Sequence, residues 1–184
     1  MKKSLIILIL SLLAISLPAQ AEHLKFMGIP LTGTITQFQQ KLAAKGVTHD
    51  KKTSAIADMG TRVFSGKFAG EKAKIVVWYD AQTKIVYGAK AVYECYSTKS
   101  RDNKYNELKP MLIQKYAEEN IEETTEDGLE RIKIYITNQD ATEQIGGVAL
   151  YRSEEDYGDI YYVHVEYIDF ENYGKNQDSK MNDL

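Results

Sequence analysis

The chain has 184 residues, with 23 Lys and Arg against 26 Asp and Glu, a formal charge of −3. That mildly acidic balance weighs against nucleic acid and anionic membrane surfaces as partners. One cysteine, Cys95, permits no internal disulfide, and the sequence holds no Gly-x-Ser-x-Gly, Cys–His pair, zinc spacing or phosphate-cradling glycine loop, so it calls for no metal and no cofactor.

Met1 to Ala21 reads as an export signal, with Lys2 and Lys3 ahead of the apolar run Leu5 to Leu17 and a small-residue cleavage site at Ala19-Gln-Ala21. The rival reading, a membrane anchor, needs roughly 20 apolar residues, and this run is shorter and stops at a proline. Cleavage leaves about 163 residues and a formal charge near −5, a soluble periplasmic or secreted protein without later membrane insertion.

Leu24 to Leu31 is expected to form a lead-in strand ended by Pro30. Thr34-Ile-Thr-Gln37 fits a capping box, and Ile35, Phe38 and Leu42 give the helix behind it one apolar stripe, with Gly46 as its stop. Thr53 to Asp58 reads as a weak strand. Arg62 to Cys95 then reads as three strands in succession. Gly66 marks a bulge or a close backbone approach in the first, Gly70-Glu71 a tight turn, and Asp80 to Thr83 the second turn. Along the third strand Ile85, Tyr87, Ala89, Ala91, Tyr93 and Cys95 alternate with Val86, Gly88, Lys90, Val92, Glu94 and Tyr96, so the first set suits a core while the second meets solvent at Lys90 and Glu94. Cys95 belongs to the apolar set, as a buried, inert thiol does.

After the polar run Ser97 to Asn103, a second helix carries the stripe Tyr105, Leu108, Leu112 and Tyr116. Pro110 is tolerated if that helix starts near Asn106 and kinks it otherwise. Ile121 to Thr125 and Leu129 to Thr137 form a hairpin across Glu126-Asp-Gly128. Gly146 to Tyr151 and Asp159 to Phe170 supply two more strands, and Asn172 to Leu184 reads as a disordered tail.

Both halves therefore run helix, weak strand, strand, strand, long strand. The last strands align as Ala89-Lys-Ala-Val-Tyr93 against Val163-His-Val-Glu-Tyr167. The expected fold is α+β, two tandem units of one helix and a four-stranded antiparallel sheet. The first spans residues 22–100 with the lead-in strand and the second 101–171, between the signal at 1–21 and the tail at 172–184. The two sheets can join side by side or pack face to face.

This tandem αβ4 layout behind an export signal resembles the β-lactamase-inhibitor-protein-like fold of small exported bacterial proteins. Separately, Phe26-Met-Gly-Ile-Pro-Leu31 with Phe38, Leu42 and Gly46, Gly66-Lys-Phe-Ala-Gly70, and Tyr105 through Leu108, Leu112, Lys115 and Tyr116 look similar to a group of uncharacterised secreted proteins of Bacteroidetes. The likeness covers about two thirds of the mature chain and departs after Tyr116, where Ala117-Glu118 stands in place of a Gly-Pro turn. Neither resemblance implies an activity or a site residue.

Three constellations remain. His164 and Glu166 share a strand face, and such a pair can serve acid–base chemistry, although a solvated polar face is the plainer reading. The acidic runs Glu118 to Glu130 and Glu154 to Asp159 lack the ligand alternation of a calcium loop and read as solvated loops, with a loosely bound cation at Asp156 and Asp159 as the alternative. Thirteen tyrosines and one tryptophan stand out. On alternation Trp78, Tyr135, Tyr151 and Tyr162 share the face opposite the Ile and Val sets, together with His164. Rigid amphipathic rings favour interfaces, whereas cross-strand pairing or burial between the units would leave them structural. The sequence thus points to a non-enzymatic binding protein using these residues on a protein, peptide or glycan of the cell envelope. A small envelope hydrolase built on His164 and Glu166 is the alternative.

Overall fold

The structure is a computed structural model that describes residues 22–117, 119–126, 128–154 and 160–181. The expected export signal and the acidic loop with Asp156 and Asp159 lie outside the described residues.

The N-terminal segment makes a two-residue-deep hairpin, β1 (Lys25–Phe26) and β2 (Ile29–Pro30), in place of one lead-in strand. Met27 and Gly28, both at positive φ, fold it back on itself. Helix α1 (Ile35–Ala43) starts at the expected box: the Gln37 amide donates to Thr34 Oγ1 at 3.4 Å, and Thr34 N donates to Gln37 Oε1 at 3.0 Å. Its stripe Ile35, Phe38 and Leu42 is buried.

Strands β4 (Thr61–Phe68), β5 (Glu71–Tyr79) and β6 (Val86–Cys95) form the expected meander. Gly66 is the close approach foreseen for it: a Cβ there would stand 2.7 Å from Val47 Cγ2. Beyond the second helical region come β7 (Asn120–Glu126), β8 (Leu129–Thr137), β9 (Gln144–Glu154) and β10 (Tyr161–Asp169). With the short β3 (Thr48–His49) they make one eight-stranded sheet ordered β3-β4-β5-β6-β10-β9-β8-β7, antiparallel at every step. The halves meet at β6 and β10, where Tyr93 pairs Val163, Ala91 pairs Val165 and Ala89 pairs Tyr167. The sheet is continuous, which excludes two sheets packed face to face.

One side of this sheet carries the core. Phe64, Ile75, Ala91, Ile132, Leu150 and Val165 lie on it, at most 0 % exposed, and pack in one cluster with α1 and with Tyr105, Leu108 and Leu112 of α3 (Thr98–Lys115). Cys95 is buried in the same cluster and unpaired, and burial raises its thiol pKa.

Three elements differ from the sequence reading. Residues 53–56 are not a strand but part of α2 (Lys51–Ile56), capped by the Asp50 carboxylate on Thr53 N at 3.0 Å. This one-turn helix finishes the sheet edge where β3 stops: Ser54 Oγ accepts from Val63 N at 2.8 Å, satisfying a β4 amide that no strand reaches. Helix α3 starts at Thr98, capped by Ser97, rather than near Asn106, so a unit boundary at residue 100 falls inside it. Pro110 consequently sits within the helix, and the Asn106 carbonyl loses its helical donor on a solvent-exposed side.

The third difference is the C-terminus. Residues 170–181 form α4 (Phe170–Met181) where a disordered tail was expected. Asp169 caps it, accepting from Asn172 N at 3.0 Å while its other oxygen holds Leu24 N at 3.0 Å. Two buried asparagines then tie the helix down: Asn172 Nδ2 donates to Leu31 O at 2.9 Å, and Asn176 Nδ2 donates to Asp80 Oδ2 at 2.7 Å. Polar residues anchor this helix through partners far away in the chain, which is why it carries no apolar signature. Asn176→Ala should therefore cost about 1–3 kcal/mol, the usual loss for a buried bond to a charged group. Urea unfolding of the two proteins at neutral pH measures it, and equal midpoints would mean that α4 is not held by this contact.

Candidate binding face

The sheet side opposite the core is set by strand alternation, and the register places its side chains in rows. One row crosses the strands as Lys74, Val92, His164 and Tyr151. The next runs Val76, Lys90, Glu166, Ala149, Lys133 and Glu122. A third runs Thr61, Trp78, Gly88, Ile168, Gly147, Tyr135 and Asn120. Tyr162 lies between Glu94 and Ser153 beyond the first row. Trp78, Tyr135, Tyr151, Tyr162 and His164 are thus placed on one face. The four rings are half-buried, while His164 is 8 % exposed and lies beneath its neighbours.

Charges interleave with these rings. The Arg131 guanidinium lies 4.4 Å from the Tyr151 ring centroid and Lys90 Nζ 5.3 Å from that of Trp78, both within cation–π reach. The Tyr151 hydroxyl donates to Glu166 Oε2 at 2.8 Å, and burial together with that carboxylate raises its pKa. The Tyr135 hydroxyl donates to Glu122 at 3.1 Å, and Lys74 pairs Glu94 at 2.5 Å. Burial lowers the Lys90 pKa, with Glu166 opposing the shift.

Glycines make room for the rings. A Cβ on Gly88 would stand 2.9 Å from Trp78 Cε3, and one on Gly147 3.3 Å from Phe170 Cζ. Helix α4 reaches this face at one end, and Phe170 and Tyr173 wall a cavity of about 340 Å³ whose other sides include Arg131, Tyr135, Tyr151 and Glu166. Alternation alone marked the aromatic positions. Arg131 and Lys133 on β8, Gly147 on β9 and Gly88 on β6 share the face by the same alternation and were missed, whereas Phe170 and Tyr173 depend on where α4 packs.

His164 and Glu166 do not form an acid–base pair. The imidazole stacks on Tyr151 at 4.6 Å between centroids and 14° between planes, and its Nε2 lies 2.7 Å from Ser153 Oγ. Its Nδ1 is buried without a hydrogen-bond partner among the described residues. Burial first, then Lys90 and Arg131, push its pKa down to about 3. A base that weak draws no proton from Ser153 near neutral pH, and Glu166 is engaged by Tyr151 rather than by the ring.

Among the described residues no three His, Cys, Asp or Glu side chains gather as a metal site would, and no helix is long and apolar enough to cross a membrane. No protein-family model, curated protein or solved structure matches the chain.

Proposed function

We propose that the chain is an exported, non-enzymatic binding protein that holds a protein, peptide or glycan of the cell envelope against this sheet face. One observation carries the reading: Trp78, Tyr135, Tyr151 and Tyr162 stand half-exposed on one rigid face, interleaved with Lys90, Arg131, Lys133 and Glu166. Rings fixed on strands lose little entropy on binding, and the neighbouring charges supply orientation. Export, and with it a periplasmic or secreted location, rests on the pattern of Met1 to Ala21. The burial and lowered pKa of His164 weigh against the hydrolase reading built on it.

The test uses residues 22–184 incubated with isolated envelope, protein-stripped envelope glycan and buffer, beside a folded Trp78→Ala/Tyr162→Ala variant. The parent should sediment with one of the two materials, and the variant's retention should fall roughly tenfold, as loss of central aromatic anchors commonly produces. Retention by glycan alone assigns the ligand class. Equal retention of parent and variant moves binding off this face, and no retention of the parent withdraws the reading.

A duplicated architecture on the β-lactamase-inhibitor-protein-like plan accompanies this proposal. Its support is the strand order, in which β3-β4-β5-β6 of the first half is mirrored by β7-β8-β9-β10 of the second about the central β6–β10 pair. The core agrees: Ile35, Phe38 and Leu42 of α1 correspond to Tyr105, Leu108 and Leu112 of α3, all buried.

A further inference from the structure

On the other side of the sheet a cleft of about 600 Å³ opens between the two halves. The first half contributes Met27 from the β1–β2 turn, Lys45 beyond α1, and Phe68 and Ala69 from the β4–β5 turn. The second half contributes one side of α3, Leu108 to Lys115, over a floor of Val165 and Tyr167 on β10. We propose that this cleft binds a single alkyl chain carrying an anionic head group, a monomeric long-chain carboxylate.

The apolar part of the argument is the lining. Phe68 stacks on Phe26 at 5.3 Å and meets Tyr167 edge-on at 6.3 Å, so one wall is fixed. Met27 is half-buried and Met111 is 49 % exposed, and unbranched thioether chains adapt to a flexible guest. A space of this size, lined mainly by apolar side chains, suits an alkyl chain better than a polar ring.

The charge of the guest follows from the polar groups. Among the described residues the lining includes two lysines and no carboxylate. Lys104 and Lys109, on the preceding turns of α3, are neutralised by Glu71 and Glu107 and by Glu123 and Glu130. Among the described residues Lys45 and Lys115 have no carboxylate within the 4.0 Å of an ion pair. Lys115 instead lies 4.7 Å from the Tyr116 ring centroid and 5.8 Å from that of Tyr167, which keeps its ammonium over the mouth. Two cations that no carboxylate among the described residues neutralises, beside an apolar slot, select an anionic amphiphile and reject a cationic one.

Calorimetric titration of residues 22–184 with dodecanoate below its micellar concentration tests this, with dodecyltrimethylammonium as the matched chain of opposite charge. Dodecanoate should bind one to one and about tenfold or more tighter than the cation. Lys45→Glu/Lys115→Glu, both solvent-exposed positions that leave the core intact, should lower dodecanoate affinity by at least about tenfold, and Met111→Trp should lower it by filling the mouth. Three results overturn the proposal: no saturable binding to the parent, equal affinity for the two amphiphiles, or unchanged affinity in the charge-reversed variant. The Trp78→Ala/Tyr162→Ala variant, altered on the opposite face, should bind dodecanoate as the parent does, so this site stands or falls separately from the aromatic one.

Discussion

Replacing His164 by glutamine should flatten the acid side of the protein's stability curve. In the unfolded chain this imidazole titrates near 6.5; in the folded protein burial and the nearby Lys90 and Arg131 hold it down to about 3. Between those values the unfolded state binds the extra proton, so stability rises with pH through this window and is complete above about 6.5. The slope is about 1.4 kcal/mol per pH unit, so the parent should lose about 2 kcal/mol between pH 6.5 and 5 through this residue. That interval lies above the range of ordinary carboxylates, and Asp169, whose pKa burial raises, is common to parent and variant. His49, whose pKa is also lowered by burial, adds a smaller loss that the variant shares. Urea unfolding at half-unit pH steps reads the difference. The His164→Gln curve should run flatter than the parent curve, and parallel curves would mean that the imidazole is hydrated rather than buried.

The second large effect separates a ring from its hydroxyl. Tyr105 is fully buried on α3, its ring faces the Arg152 guanidinium at 4.4 Å, and its hydroxyl has no hydrogen-bond partner among the described residues. Tyr105→Ala removes a whole aromatic ring from the core and should cost about 3–5 kcal/mol. Tyr105→Phe removes only an unsatisfied polar atom and should be neutral or stabilising by about 1 kcal/mol, since nothing in the fold loses a partner. Unfolding midpoints of the three proteins decide it. A Phe variant as weak as the Ala variant would assign the hydroxyl a structural role.

The long strands were legible because alternation of Ile75, Val77, Ala89 and Ala91 with polar neighbours is a local signal, and turn residues bound each strand. The aromatic face followed from the same alternation. Helices without an apolar stripe were not legible. In α2 the residues Thr53, Ser54 and Ile56 favour a strand, and the deciding bond is from Ser54 to a β4 edge that the sequence does not show. The first turn of α3 is polar, and α4 is fixed by Asn172 and Asn176 reaching residues more than ninety positions away. The lysine-rimmed cleft was equally invisible, since two turns, a helix end, α3 and β10 supply its walls.

The central pairing of β6 with β10 also sets an order of events. Strand β6 is complete by Cys95, but its second neighbour begins only at Tyr161. Until the chain between them has folded through α3 and three further strands, β6 presents a full row of open amides and carbonyls. Joining strands so distant requires closing a long loop before any contact rewards it, the condition under which folding is slow. A second chain arrested at the same stage offers an equivalent edge, so crowding of incomplete molecules favours exchange of halves between copies. The pairing that makes the sheet continuous therefore waits for the last strand of the chain.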